Sequence, residues 1–205
     1  MERKMELQNK LNLTGAALAE AEERISKKRA RALYESGRLY AIETGTYGGL
    51  REIHRFLFEE IYDFAGKTRT VNTAKGGFRF ASALYLSEAL AKISAMPQET
   101  FEEIVAKYVE MNVAHPFLEG NGRSGRIWLD AMLRHSLGKT VDWSRIGRED
   151  YLLAMERSPV RDTELRLLLS EVLSGRLDDF ALVLRGIDAS YRYEGYDRYR
   201  TEEIT

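Results

Sequence analysis

His115-Pro116-Phe117-Leu118-Glu119-Gly120-Asn121-Gly122-Arg123-Ser124-Gly125-Arg126 runs straight into Ile127, Leu129, Ala131, Met132 and Leu133, so a loop opens directly into an apolar helix. The helix reads from about Arg123 to His135 and is packed into the core. Its loop therefore lies at a helix N-terminus, where unpaired main-chain N–H groups and the macrodipole favour an anion. Gly120, Asn121 and Gly122 suit a nest for that anion, because glycine lets the backbone approach an oxyanion closely. Arg123 and Arg126 stand three apart, project from one helical face and are placed to clamp outer phosphates. Glu119 is a hard oxygen donor suited to magnesium. His115 changes protonation near neutrality, the property needed by a base that deprotonates an attacking hydroxyl. Pro116 and Phe117 hold the loop to the core. A GNG turn, a histidine before proline or two helical arginines mean little singly; in this order they describe a phosphate-handling site.

Upstream, Leu50, Ile53, Leu57 and Ile61 keep helical spacing, which predicts an amphipathic helix ending near Gly66. Val71 to Phe80 follows, with Gly76-Gly77 between two short β-prone segments, and predicts a hairpin. His54 and His135 have no ligand-type neighbours at metal spacing and are read as structural. Downstream, Ser190 and Glu194 are four apart and share one face of a short helix, with Asp188 as its cap and Gly195 as its end.

The segment 115–126 resembles the Fic motif, H-P-F-x-[DE]-G-N-G-R-x-x-R, at every specified position. The resemblance covers roughly residues 45 to 196 and implies a protein adenylyltransferase that moves AMP from ATP to a Ser, Thr or Tyr hydroxyl of a protein target. By that resemblance His115 is the base, Glu119 holds Mg2+, Gly120, Asn121 and Gly122 cradle phosphates, and Arg123 and Arg126 contact the β and γ phosphates. The related Doc toxins carry a lysine-containing variant of the segment, and Gly122 fits the AMP-transferring pattern instead. The hairpin with Lys75, Gly76, Gly77 and Phe78 is similar to the Fic flap, which lays a target strand beside the site. Ser190 to Gly195 resembles the inhibitory motif [ST]-x-x-x-E-[GN], carried at the C-terminal end of short Fic proteins, so that Glu194 would pair with Arg126 and displace the γ-phosphate. Tyr191 and Tyr193 flank Glu194 and are expected sites of self-modification once the helix leaves its groove. Three alternatives stand beside this reading: removal of AMP by water that Glu194 activates, transfer of another nucleotide, and a nucleotide-dependent binding module. The resemblance also implies a homo-oligomer and, as a family-level association, a type II topoisomerase subunit as target.

Composition agrees with a single domain over residues 1–205, with a core of about 45–174 and an inhibitory helix of about 187–196. Lys and Arg number 31 against 32 Asp and Glu, so there is no global basic field and no direct nucleic-acid binding is expected. The first residues, Met1 to Leu7, lack an apolar signal core, and no run reaches the roughly 20 apolar residues that span a bilayer; a cytoplasmic protein without membrane association is expected. The absence of cysteine excludes disulfides and thiolate chemistry. Helical patterns fall at about 16–36, 47–64, 84–94, 99–114, 123–136, 148–156, 161–174 and 178–185, then the tail helix, with the flap alone reading as strand. The predicted fold is all-α, a Fic-like helical bundle with one small β-hairpin flap. Glu20, Glu22, Glu23, Arg24, Lys27, Lys28, Arg29 and Arg31 are read as a solvated face with no chemistry.

Overall fold

The helix α5 (Asn121–Leu137) is buried on every side, and each residue from Arg123 to Arg134 is shielded from solvent. A helix sealed all round must sit at the centre of its domain. A computed structural model describes residues 7–75 and 77–204. In it α4 (Phe101–Ala114), α2 (Tyr47–Phe58) and α8 (Phe180–Tyr193) pack around α5, and α1 (Gly15–Glu35) closes over α2 and α8. The short α3 (Leu86–Ser94) lies on α4, and α6 (Arg148–Arg157) joins α7 (Thr163–Ser170) to α8. The all-α expectation holds.

Local chemistry sets the helix ends near the site. Thr100 and Glu103 form a reciprocal capping box at the start of α4, and the Thr46 hydroxyl accepts the Gly49 N–H at the start of α2. Gly138, at φ 59°, ends α5 in the left-handed conformation that glycine adopts without a Cβ penalty.

Four expectations are corrected. The helix expected to reach residue 64 ends at Phe58, and Ile61 and Tyr62 are buried by turns rather than by helical continuation. Lys10 takes the carbonyls released there, its N–H bonding Ile61 O at 2.8 Å and its ammonium bonding Glu59 O at 2.8 Å. The segment expected as helix to 174 gives way to β4 (Leu173–Ser174), which pairs antiparallel with β3 (Thr140–Val141), Val141 opposite Leu173. Strands of two residues are too short to show an alternating pattern. The two expected C-terminal helices are one continuous α8, capped by Asp179, which accepts from Leu182 N; Asp188 sits mid-helix, paired to Lys27 at 3.2 Å and accepting from Thr201 N. Gly195, at φ 88°, does end the helix.

The fourth concerns α1. Glu22, Glu23 and Lys27 are buried, at 3%, 3% and 1% exposure, not solvated. Each is paired: Lys27 with Glu23 at 3.0 Å and with Asp188, and Glu22 with Arg123 at 2.6 Å. The Glu23 carboxylate also accepts from Arg198 N and Tyr199 N, so α1 binds the C-terminal segment as well as α8. Charge spacing alone could not reveal burial, because a buried ion pair and a solvated one read alike in sequence.

Candidate active site

His115 closes α4 in the left-handed region, at φ 48° and ψ 62°. This is uncommon for a non-glycine residue, and a following proline restricts the backbone further, so tertiary contacts must hold it. Its carbonyl accepts from Arg69 Nε at 2.7 Å and its imidazole stacks on Phe80, with centroids 3.6 Å apart and planes 12° from parallel. Burial, then the charges of Arg69 and Lys75, outweigh the Asn112 carbonyl and Glu194 and lower the His115 pKa to about 4. The ring is neutral at pH 7 and can accept a proton.

The loop that follows is braced from within. Asn121 closes a ring on Phe117, accepting its N–H at 2.9 Å and donating to its carbonyl at 2.8 Å. Phe117, fully buried, stacks on His54 at 3.8 Å. The Gly66 N–H donates to His54 Nδ1 at 2.9 Å, so the imidazole proton sits on Nε2 and is donated to Glu119 O at 2.8 Å. Burial lowers the His54 pKa to about 3, which keeps that tautomer neutral. His54 is structural, as the sequence predicts, but what it supports is the motif loop itself. His135 is exposed.

Gly120 caps α5 at φ 79°, and a Cβ there would lie 2.5 Å from the Phe58 ring. The first N–H bonded back into the helix is that of Ser124, to Gly120 O at 3.1 Å. The N–H groups of Asn121, Gly122 and Arg123 therefore precede the helical ladder, at a helix start of the kind that favours an anion. A carboxylate already lies against this helix start: a Cβ on Gly122 would meet Glu194 Oε1 at 2.2 Å.

Arg126 is 2% exposed and faces α8. Its Nε donates to Ser190 Oγ at 2.7 Å, and its Nη2 donates to Ser190 O at 2.8 Å and to Glu194 Oε1 at 3.0 Å. Burial alone would raise the Glu194 pKa, but Arg126, Lys75 and Arg123 overcome it and hold the carboxyl at about 2. The expected Glu194–Arg126 contact is present, together with the Ser190 contact.

The two motif arginines are not brought into one clamp. Arg123, 1% exposed, turns to α1, donating from Nη2 to Glu22 at 2.6 Å and reaching Glu119 Oε1 at 3.3 Å, with its guanidinium against Phe58, Tyr191 and Tyr196 at 4.8, 5.4 and 4.6 Å. Its Nε and Nη1 are buried without a hydrogen-bond partner among the described residues. Helical spacing put both arginines on the face nearest the loop, but α1 supplies Arg123 with a carboxylate that no local pattern announces.

Glu119 is 44% exposed at its side chain, and its Oε1 accepts from Gly120 N at 2.9 Å. Among the described residues no group of three or more His, Cys, Asp or Glu could hold a metal ion unaided. Magnesium is ordinarily held by one or two carboxylates plus substrate phosphates and water, and an accessible carboxylate beside an anion-binding helix end fits that requirement.

The flap is β1 (Ala74–Lys75) paired with β2 (Phe78–Arg79), Lys75 opposite Phe78. Lys75, Gly77 and Arg79 are exposed, Phe78 is half-buried against Phe80, and Gly76 lies outside the described residues. Lys75 Nζ lies 3.7 Å from Glu194 Oε2, so flap and tail meet over the site. Tyr191 and Tyr193 are buried, at 1% and 2% exposure, and the Tyr193 hydroxyl donates to Trp143 O and Ile146 O. A cleft of about 790 Å³ opens at the flap root, lined by Tyr47, Thr68, Asn72, Leu86 and Leu90. It lies apart from the α5 N-terminus, where polar main-chain groups and charges converge.

The Fic/DOC family profile matches residues 45–133, which hold the flap, the loop and most of α5. A probable protein adenylyltransferase Fic from Escherichia coli is 31% identical over 137 residues, 61% of this chain and 68% of that protein. The chain belongs to the Fic/DOC family. Among its Fic relatives, the probable protein adenylyltransferase y4lH of Sinorhizobium fredii is 30% identical over 74% of this chain and 82% of its own. The protein adenylyltransferase VbhT of Bartonella schoenbuchensis is 30% identical over 69% of this chain, and the match spans 31% of that longer protein. The Fic fold is shared with BepC of Bartonella tribocorum, solved with bound AMPPNP, at a TM-score of 0.70 and 20% identity over 85% of this chain and 95% of that one. It is shared too with a Bartonella quintana Fic domain solved with bound ADP, at a TM-score of 0.71 and 20% identity over 84% and 92% of the two chains. The relatives' names bear out the expected class, nucleotidyltransferase, and no described helix is long and apolar enough to cross a membrane.

Proposed function

We propose that this Fic protein transfers AMP from ATP to a hydroxyl of a protein target and is restrained by Glu194. The observation that carries the proposal is the position of the Glu194 carboxylate, which bonds Arg126 at 3.0 Å and occupies the space over Gly122 at the α5 N-terminus. A carboxylate there takes the place of a terminal phosphate, because helix N–H groups and guanidinium serve either anion.

In the released state the β and γ phosphates lie on the N–H groups of Asn121, Gly122 and Arg123 and on Arg126. A target strand lies along the flap, presenting a Ser, Thr or Tyr. The hydroxyl oxygen attacks the α-phosphorus, the bond from that phosphorus to the bridging oxygen breaks, pyrophosphate leaves, and the hydroxyl proton passes to His115. The neutral imidazole suits this role, and positioning supplies most of the rate in such transfers. Glu119 would hold Mg2+, which supplies charge neutralisation on the phosphates when bound. Arg123, held by Glu22, orders the loop and adds positive charge behind it.

The reading in which Glu194 activates water needs a basic carboxylate, and one held near pKa 2 is a poor base until it leaves Arg126. Self-modification at Tyr191 or Tyr193 requires the last turns of α8 to unwind, because both side chains are buried in the docked helix. A type II topoisomerase subunit remains the family-level expectation for the target.

The test is the intact mass of wild type, Glu194→Gly and Glu194→Gly/His115→Ala after incubation with ATP and magnesium, each with and without a topoisomerase subunit. AMP on the protein or on the added subunit in the Glu194→Gly sample alone supports both transfer and restraint. Equal labelling by wild type refutes restraint, and labelling that survives His115→Ala refutes the assigned base.

A further inference from the structure

Arg69 is 3% exposed, and its four side-chain hydrogen bonds all go to main-chain carbonyls. Nε donates to His115 O at 2.7 Å and Nη2 to Ala114 O at 3.0 Å, at the C-terminus of α4. The same guanidinium reaches Val71 O at 2.7 Å and Ala81 O at 2.6 Å, where the chain enters and leaves the flap. Its own N–H bonds Pro116 O at 2.8 Å, and the Ala81 N–H bonds Val113 O at 3.0 Å. A helix C-terminus leaves its last carbonyls without helical partners and carries partial negative charge, so it can hold a buried cation that has no carboxylate beside it among the described residues. A guanidinium is suited to this place, because its fixed fork reaches several acceptors at once where an ammonium offers a single point.

We infer that Arg69 is the positioning residue that couples the flap to the catalytic histidine, one side chain setting both the left-handed backbone of His115 and the root of the strand pair. If the guanidinium is lost, two consequences follow together. The flap roots lose two carbonyl anchors, and His115, strained at φ 48° before a proline, loses the donor that satisfies its carbonyl. A target strand lying on the flap would then be misaligned with the base. The kinetic part of the inference rests on the transfer proposed above, whereas the structural part does not.

The experiment uses the full chain with Arg69→Gln and Arg69→Lys. Hydrogen exchange should rise by about tenfold or more at residues 71–75, 77–81 and 113–115 in Arg69→Gln, with the interior of α5 unchanged and Arg69→Lys intermediate. The groups facing the His115 ring are Arg69, Lys75, Glu194, the Asn112 carbonyl and Phe80; with Arg69 neutral, the imidazole should titrate above its value of about 4 by NMR, a signal separable among three histidines. In a Glu194→Gly background, the KM for a protein target should rise by at least about tenfold while the KM for ATP changes by less than about threefold, because the phosphate site is built on α5. Flap exchange within twofold of wild type, or exchange that accelerates equally through α5 in both variants, overturns the coupling. If the Glu194→Gly parent transfers nothing to any target, the transfer reading fails, and the exchange and titration results still decide the role of Arg69.

Discussion

Replacing Glu22 by alanine tests whether α1 belongs to the site. Glu22 and Arg123 are 4% and 0% exposed at their side chains and lie 2.6 Å apart, and the other Glu22 oxygen accepts from the Tyr62 hydroxyl at 2.7 Å. Glu22→Ala leaves a buried guanidinium without its strongest partner and a buried hydroxyl without an acceptor. Breaking a buried pair by removing one member costs about 3–5 kcal/mol, which at roughly 2–4 °C per kcal/mol for a domain of this size lowers Tm by roughly 6–20 °C. Glu164→Ala is the matched control, since its pair with Arg157 is 44% and 61% exposed and worth no more than about 1 kcal/mol. Differential scanning calorimetry of both variants gives the comparison, and Glu22→Gln, which keeps an acceptor but not the charge, should fall between them. If Glu22→Ala melts within about 2 °C of Glu164→Ala, the burial and charge reasoning for Arg123 is wrong.

Other outcomes follow from the same geometry. Gly120→Ala forces a Cβ against Phe58 at a φ of 79°, so it should cost at least about 2 kcal/mol in urea unfolding and weaken nucleotide binding by calorimetry. Asn121→Ala removes both bonds that brace Phe117 and should lower stability by about 1–3 kcal/mol on the same measurement, with loss of the His54–Phe117 stack by NMR. His54 and His115 are neutral in the fold, with pKa values of about 3 and 4 against about 6.5 unfolded. The unfolded chain therefore binds more protons below that value, and native stability should decline as pH falls from about 6.5 toward 4, read by chemical unfolding across pH. The opposite group is Glu194, whose depressed pKa stabilises the fold above the ordinary carboxylate range; that contribution fades only as pH falls toward about 2, so mild acid, at pH 5, should not release the restraint in a transfer assay.

The motif loop, its helix and the Ser190–Glu194 pair were legible in residue order because each depends on local chemistry: glycine where the backbone turns left-handed, charges at a helix end, and residues four apart on one face. Helices α1, α4 and α6 were legible for the same reason, since apolar period acts within one or two turns, with a capping box added at α4. The end of α2 was not, because Lys10, far away in sequence, takes the carbonyls that would have continued it. Nor was the union of the last two helices, where Asp188 resembles a cap in sequence but is held mid-helix by Lys27 and Thr201.

The sequence by itself determined an all-α Fic chain with a glycine-rich loop at the start of one helix, a histidine before it and a glutamate spaced to share a face with Ser190. Tertiary structure decided how those groups are held: Arg123 by Glu22, the His115 backbone by Arg69, the Glu119 carbonyl by His54, and Tyr191 and Tyr193 in the interior. The physical reason is range. Backbone propensity and helix dipoles act between neighbours in the chain, whereas the burial that makes a charge need a partner, or lowers a histidine pKa, exists only after distant segments have excluded water.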